Sequence, residues 1–386
     1  MVRIGCVGEP RGRLRKCTGF ERMRLPLALT ALVAVIAACS SSPEAPKDPP
    51  LQLDDAPGGW KMVAAGDGQT CGIAKTGLLY CWGKNDRGQL GDGSQLPHST
   101  PAQILSDSMF AAVTAGTLSS CGVTVSGVAY CWGWVADRFQ TTPQIMDAQR
   151  RFTALAAGVW MICGLSTDGS VYCWSLTVTN APDALPLPGG VHFLALVTSN
   201  NFFCGISTNA RVYCWDADTF GRPTAPELRS TLPAAVKLAA GDFGYYTPSG
   251  NHLCTVDRNG ATYCWGDNTE RQLGLGDSIS RETPTLLSNH KFAEISASGG
   301  GTCGVAVNGV PYCWGRRIVG DPDATDPVQA LLPGLRAAQP SVGPDHYCFL
   351  TAGGTAFCGG DNGAGQLGTG TSGEVSQPLR QVLNPA

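Results

Sequence analysis

Fourteen of the 17 cysteines fall into seven pairs of one spacing, and this pattern constrains the 386-residue chain more than any other feature. The pairs are Cys71 with Cys81, Cys121 with Cys131, Cys163 with Cys173, Cys204 with Cys214, Cys254 with Cys264, Cys303 with Cys313, and Cys348 with Cys358, each separated by 10 positions. In an antiparallel hairpin the numbers of opposed residues have a constant sum. Pairing Cys71 with Cys81 therefore centres the turn on Thr76 and leaves Lys75-Thr76-Gly77 as a three-residue loop. Such loops need positive φ at their third position, which glycine adopts without steric cost. Gly77, Gly127, Gly169, Gly260, Gly309 and Gly354 stand six residues after the first cysteine of their pairs, and only Ala210 departs from the rule.

Directly opposed residues at a non-hydrogen-bonded position lie close enough for a cross-strand disulfide. Zinc is the competing use of paired cysteines, but it takes short C-x(2 to 4)-C knuckles converging four ligands, and no pair here has that spacing. One disulfide per repeat is the expectation, with no metal and no cofactor.

Successive pairs begin 50, 42, 41, 50, 49 and 45 residues apart, the period of a propeller blade or a comparable repeat. Before each hairpin stands a short apolar strand such as Phe110-Ala111-Ala112-Val113, and beyond that a Pro-led strand such as Pro101-Ala102-Gln103-Ile104. With 50 Gly and 26 Pro in short elements, this describes an all-β, seven-bladed β-propeller with four-stranded blades. The last Pro-led strand, Pro378 to Leu383, has no hairpin after it, so it is expected to complete blade one and close the ring. An aromatic residue precedes each second cysteine (Tyr80, Tyr130, Tyr172, Tyr213, Tyr263, Tyr312, Phe357). Tryptophan follows it in six (Trp82, Trp132, Trp174, Trp215, Trp265, Trp314), with Gly359 in the seventh. Tyr and Trp share one strand face and are expected to pack between blades, with a sugar-binding shelf as the alternative.

The N-terminal part reads as an address. From Met23, a basic start, a short apolar run and the small residues of Ile36-Ala37-Ala38-Cys39 form a signal peptide whose end looks like a bacterial lipobox, making Cys39 the lipidated residue. An ordinary secretory signal is the alternative. Residues 1–38 are thus the leader, with 1–22 a misassigned start or a long basic region. Residues 39–58 are a Pro/Ser-rich tether, and 59–386 the propeller. The expected location is the cell envelope, anchored to the membrane through lipid alone, with the propeller facing the periplasm or the exterior, where disulfides persist.

Three loops carry a family likeness: Cys81-Trp82-Gly83-Lys84-Asn85-Asp86-Arg87-Gly88-Gln89-Leu90-Gly91, Cys264-Trp265-Gly266-Asp267-Asn268 with Gln272-Leu273-Gly274, and Gly359 to Asn362 with Gly365-Gln366-Leu367-Gly368. They resemble the repeat of the regulator of chromosome condensation superfamily, which also includes a propeller-type β-lactamase inhibitory protein. The resemblance implies a seven-bladed propeller over residues 59 to 386 and transfers no contact residue.

Removing residues 1–38 leaves 20 basic and 28 acidic residues, a balance that argues against nucleic acid as the main ligand. The five histidines (His98, His192, His252, His290, His346) show no metalloprotease spacing, and no nucleophile elbow is present. Gly368-Thr369-Gly370-Thr371-Ser372-Gly373 matches a dinucleotide fingerprint only as a string. Asp321, Asp323 and Asp326 suit calcium or a solvated loop. The expectation is a non-enzymatic monomer that binds an unknown protein, or a surface glycan, through loops opposite the Gly turns. Phe243, Tyr245, Tyr246 and His252, from an insert in blade five, together with Trp160, Phe202 and Tyr347, are the candidate contact residues. A propeller lyase or hydrolase is the alternative, and it requires a polar cluster with shifted pKa values at the axial mouth.

Overall fold

The computed structural model describes residues 58–385, apart from 106, 177–183, 201, 219–220, 230–233, 243–250, 289, 316–328 and 331–333. The leader, Cys39 and most of the tether therefore lie outside the described residues.

Seven four-stranded antiparallel sheets follow one another along the chain. In blade one the inner strand Trp60–Ala65 pairs with Gln69–Ala74, which pairs with Leu79–Gly83, which pairs with the outer strand His98–Ile104. The hairpin register is the one the cysteine spacing predicts, and it recurs in every blade. Cys71 stands opposite Cys81, Cys121 opposite Cys131, Cys163 opposite Cys173 and Cys204 opposite Cys214. Cys254 likewise faces Cys264, Cys303 faces Cys313, and Cys348 faces Cys358. All seven pairs are disulfide-bonded with Cα atoms 4.0–4.2 Å apart. Every one of these cysteines is buried, so the bridges staple the blades from within and offer no surface site. Each turn glycine has φ between 79° and 90°, and Ala210 takes the same left-handed conformation at φ 60°. The turn geometry thus survives its one exception at a modest steric cost.

Side-chain size is matched across each blade. Trp60, Phe110, Phe152, Phe193 and Phe292 at the start of the inner strands lie over Gly72, Gly122, Gly164, Gly205 and Gly304, where a Cβ would fall 2.4–2.8 Å from the ring. In blade five the small Ala235 stands at the inner strand and Thr255 replaces the glycine. The space is filled from whichever strand carries the larger residue, as close packing requires. The tryptophans after the second cysteines are buried between blades, as expected.

Ring closure differs from the sequence expectation. The C-terminal strand Glu374–Gln381 pairs with Ala356–Asn362 of its own blade seven, while blade one has its own outer strand. Each Pro-led strand belongs to the hairpin before it. A connector brings it back antiparallel as the outer edge, where proline's missing N–H costs no ladder bond. Among the described residues no strand is exchanged at the seam of blades seven and one. That seam is closed by Trp60 N–H to Gly354 O (2.7 Å), Ala65 N–H to Ser341 Oγ (2.9 Å) and Lys75 Nζ to Gly353 O (2.6 Å). The seam of blades six and seven repeats one of these links, with Val342 N–H donating to Ser296 Oγ at 3.1 Å.

Candidate binding faces and the axial channel

The strand order gives the disc two unlike faces. One holds the connectors from inner to second strand and from third to outer strand; the other holds the Gly turns and the links between blades.

On the connector face the three full family loops are self-satisfied structures. Asn85 donates from Nδ2 to Leu96 O (3.0 Å) and accepts Leu90 N–H at Oδ1 (2.9 Å). Asn268 does the same with Asp277 O (2.8 Å) and Leu273 N–H (2.9 Å), and Asn362 with Thr371 O (3.1 Å) and Leu367 N–H (3.1 Å). Gln89, Gln272 and Gln366 donate to the carboxylates of Asp86, Asp267 and Asp361 at 2.8–2.9 Å. These Asn and Gln side chains are buried, so the loop motif encodes architecture rather than a reactive site.

Each of these loops also clips the next blade. The main-chain carbonyl of Gln89 accepts from Trp132 Nε1 (2.9 Å) and Ser120 Oγ (2.9 Å), and that of Gln272 from Trp314 Nε1 (2.8 Å) and Thr302 Oγ1 (2.9 Å). Gln366 serves Trp82 Nε1 (3.0 Å) and Thr70 Oγ1 (2.8 Å) across the seam of blades seven and one. Blade two has no such loop: its third and outer strands join through Ala136 and Asp137, both at positive φ, and the indole N–H of Trp174 in blade three is buried with no partner.

The candidate contact residues divide. Trp160 is half-buried on the connector face. Phe243, Tyr245 and Tyr246 lie outside the described residues, as do Asp321, Asp323 and Asp326. His252, Phe202 and Tyr347 are a correction: they are buried and cannot form a contact surface. Each stands one or two residues before its cysteine, already inside the strand rather than in the loop. Burial pushes the Tyr347 hydroxyl up to about 12.

His252 and His346 occupy equivalent seam positions. His346 Nε2 lies 2.7 Å from Thr70 Oγ1, and His252 Nε2 lies 2.8 Å from Thr302 Oγ1. Because each threonine hydroxyl donates to a Gln carbonyl, it accepts from the histidine, which fixes the proton on Nε2. His346 Nδ1 is buried without a partner, and the His252 ring lies against the Gly241 main chain. Burial lowers both pKa values to about 4, against an opposing pull from Asp267 on His252 and from Asp345 and Asp361 on His346. A neutral ring seated over a glycine, Gly241 or Gly343, is the state the seam accommodates. Both histidines face blade seams rather than the axial mouth.

The axis is a channel of about 350 Å³ lined by all seven inner strands. At the connector face it narrows to a mouth of about 80 Å³, whose polar side chains are Asp67, Thr114, Thr117, Thr198, Ser199, Asn200 and Ser298. Lys237 and Glu294 form an ion pair of 2.5 Å between blades five and six at the other end. Among the described residues no group of three His, Cys, Asp or Glu side chains is placed to hold a metal ion. The Gly368 to Gly373 segment lies in the connector of blade seven, where Gly370 N–H donates to Ser99 O (2.9 Å) and no helix follows.

The connector face is acidic, with Asp67, Asp86, Glu270, Glu282, Asp345 and Asp361 among its side chains. Leu96 (69% exposed), Ile279 (65%) and Phe139 (45%) stand out from it as large apolar groups. Arg87 lies over the Phe139 ring at 5.2 Å, joining the loop of blade one to the hairpin of blade two.

A seven-bladed disc with these clip loops is a repeat propeller of a recognisable class. Models of the regulator of chromosome condensation (RCC1) repeat match residues 61–89, 76–123 and 259–307. The chain carries RCC1 repeats over these residues and folds as a seven-bladed propeller. Among solved structures it is similar to Prp20p from Saccharomyces cerevisiae (20% identity, 66% of this chain and 71% of that one, TM-score 0.56), a protein described by its binding to Gsp1p and histones. It is also similar to human WBSCR16 (14% identity, 80% and 95%, TM-score 0.68). The third is the CRINKLY ectodomain of the Arabidopsis thaliana receptor kinase ACR4 (20% identity, 81% and 96%, TM-score 0.51). No curated protein matches in sequence.

Proposed function

We propose that the chain is a lipid-anchored cell-envelope scaffold, held to the membrane at Cys39, that binds a protein partner through its connector face. The observation that carries this reading is the union on one face of loops rigid enough to be preorganised and of three large apolar side chains set in an acidic field. Asn85, Asn268 and Asn362 freeze the loops from within, so little ordering entropy remains to be lost on binding. Leu96, Phe139 and Ile279 offer apolar anchors, and the acidic surround favours a partner with a basic surface. The buried disulfides suit an oxidising compartment. The related propeller of ACR4 is an ectodomain, a use of the fold outside the cytosol.

Photo-crosslinking tests this in living cells. A photoreactive phenylalanine placed singly at Leu96, Phe139 and Ile279 is expected to trap one and the same protein. The same group at Val125 or Val307, on the Gly-turn face, is expected not to trap it. Equal trapping from both faces, or different proteins at each of the three positions, contradicts the proposal.

A further inference from the structure

The Gly-turn face has the opposite character from the connector face. Six blades bring an exposed cation to it, Lys61, Arg151, Arg211, Arg258, Lys291 and Arg336; blade one adds Lys75, which donates to Gly353 O at 2.6 Å, and blade four adds Arg229, paired with Glu227 at 3.1 Å. None of the six is in an ion pair among the described residues. Arg151 and Arg336 donate only to neighbouring main-chain carbonyls. The face also carries acids, but Asp147 is paired with Arg150 at 2.6 Å and Glu294 with Lys237 at 2.5 Å. Asp168 and Asp257 accept main-chain N–H groups of their own turns at 2.8–2.9 Å, and Asp107 is engaged as well. Blade two, which brings no exposed cation, brings Val125 at 66% exposure, and Leu194 (64%) and Val307 (64%) share the face with it.

The chain also enters the propeller on this side. Trp60 N–H bonds to Gly354 O in a Gly turn, and Gly59 O accepts Lys75 N–H from another. Cys39 precedes Gly58 by 19 residues. Nineteen residues reach at most about 65 Å when fully extended, so an anchor at Cys39 permits contact between the headgroups and the Gly-turn face, where the chain enters.

We propose that the Gly-turn face docks on an anionic phospholipid surface, with cations at the headgroup phosphates and the exposed Val and Leu side chains entering the interface. Spread cations among exposed apolar groups are the pattern an anionic bilayer attracts, with a strength that falls as salt rises. The acidic connector face then points away from the membrane. This adds an orientation to the scaffold reading and does not depend on acylation, so the test removes the acyl chain.

The experiment is co-sedimentation of the full chain carrying Cys39→Ser with vesicles of 70% phosphatidylcholine and 30% phosphatidylglycerol on the order of 100 nm across, at low and at physiological salt. The triple variant Arg211→Gln, Arg258→Gln, Lys291→Gln is expected to lose vesicle affinity about tenfold or more. The equally charged control Lys84→Gln, Arg87→Gln, Arg138→Gln, on the other face, is expected to bind as the parent does. A second variant, Lys61→Gln with Arg336→Gln, removes cations from two other blades and is expected to lose affinity in the same direction. Equal affinity of the triple variant and the parent overturns the proposal, as does an equal loss in the control. Retention on duplex DNA with no vesicle binding assigns the face to a soluble polyanion and overturns it as well. Neither result bears on the crosslinking at Leu96, Phe139 and Ile279.

Discussion

Trp82 in blade one donates its indole N–H to the main-chain carbonyl of Gln366 in blade seven, at 3.0 Å, and this bond joins the first and last blades. The same relationship links Trp132 to Gln89 and Trp314 to Gln272. Trp174 follows a blade without the loop, and its N–H is buried and unpaired.

The contrast sets a matched pair of substitutions. Trp82→Phe leaves a smaller ring and removes a buried hydrogen bond, whereas Trp174→Phe leaves a smaller ring and removes an unsatisfied donor. Trp82→Phe is expected to be the more destabilising by about 1–2 kcal/mol. Denaturant unfolding of the two variants reads the difference, and equal losses contradict the clip.

The packing of Phe292 over Gly304 predicts a coupled pair. Gly304→Ala places a methyl 2.5 Å from the ring and is expected to cost about 1–3 kcal/mol. Adding Phe292→Ala gives the substituent room, as the combination of Ala235 with Thr255 already does in blade five. The double variant is expected to be less destabilised than the two single losses added together. Thermal midpoints of the four proteins of the cycle measure the coupling, and strict additivity contradicts it.

His252 and His346 predict an acid limit. Their folded pKa values of about 4 lie below the ordinary 6.5, so the unfolded chain binds more protons between those values. Stability is therefore full above pH 6.5 and falls as the pH drops toward 4. The loss is roughly 3 kcal/mol for each ring that must be charged. His346→Gln places at this seam the residue that blade one carries at Gln69, and it is expected to flatten the decline between pH 6.5 and 4. Urea midpoints across that range test it. An unchanged slope in the variant counts against the assignment.

Much of this architecture is legible in the sequence because the disulfide hairpin is local: ten residues fix the partner, the turn and the face of every side chain between them. The phase of the blades is not local. A Pro-led strand lies between two hairpins in a periodic chain, and only the antiparallel return through the connector assigns Pro378 to blade seven rather than blade one. The contact residues failed for a related reason. His252, Phe202 and Tyr347 read as loop residues when the strand is taken to begin at the cysteine, yet the strands begin two or three residues earlier and bury them. The opposed charges of the two faces become visible only after Arg258 is placed in a turn and Glu270 in a connector. A net balance for the whole chain hides them.

The most direct test of the account is the intact mass of the mature protein from the membrane fraction, with alkylation before and after reduction in denaturant. The account predicts a chain beginning at acylated Cys39 that takes up no alkyl group in the native state and fourteen after reduction. Peptide mapping should then join each cysteine to the one ten residues away, Cys163 to Cys173 and Cys303 to Cys313 among them. Free thiols in the native chain, or bridges between repeats, contradict the stapled propeller, and an unlipidated N-terminus contradicts the anchor.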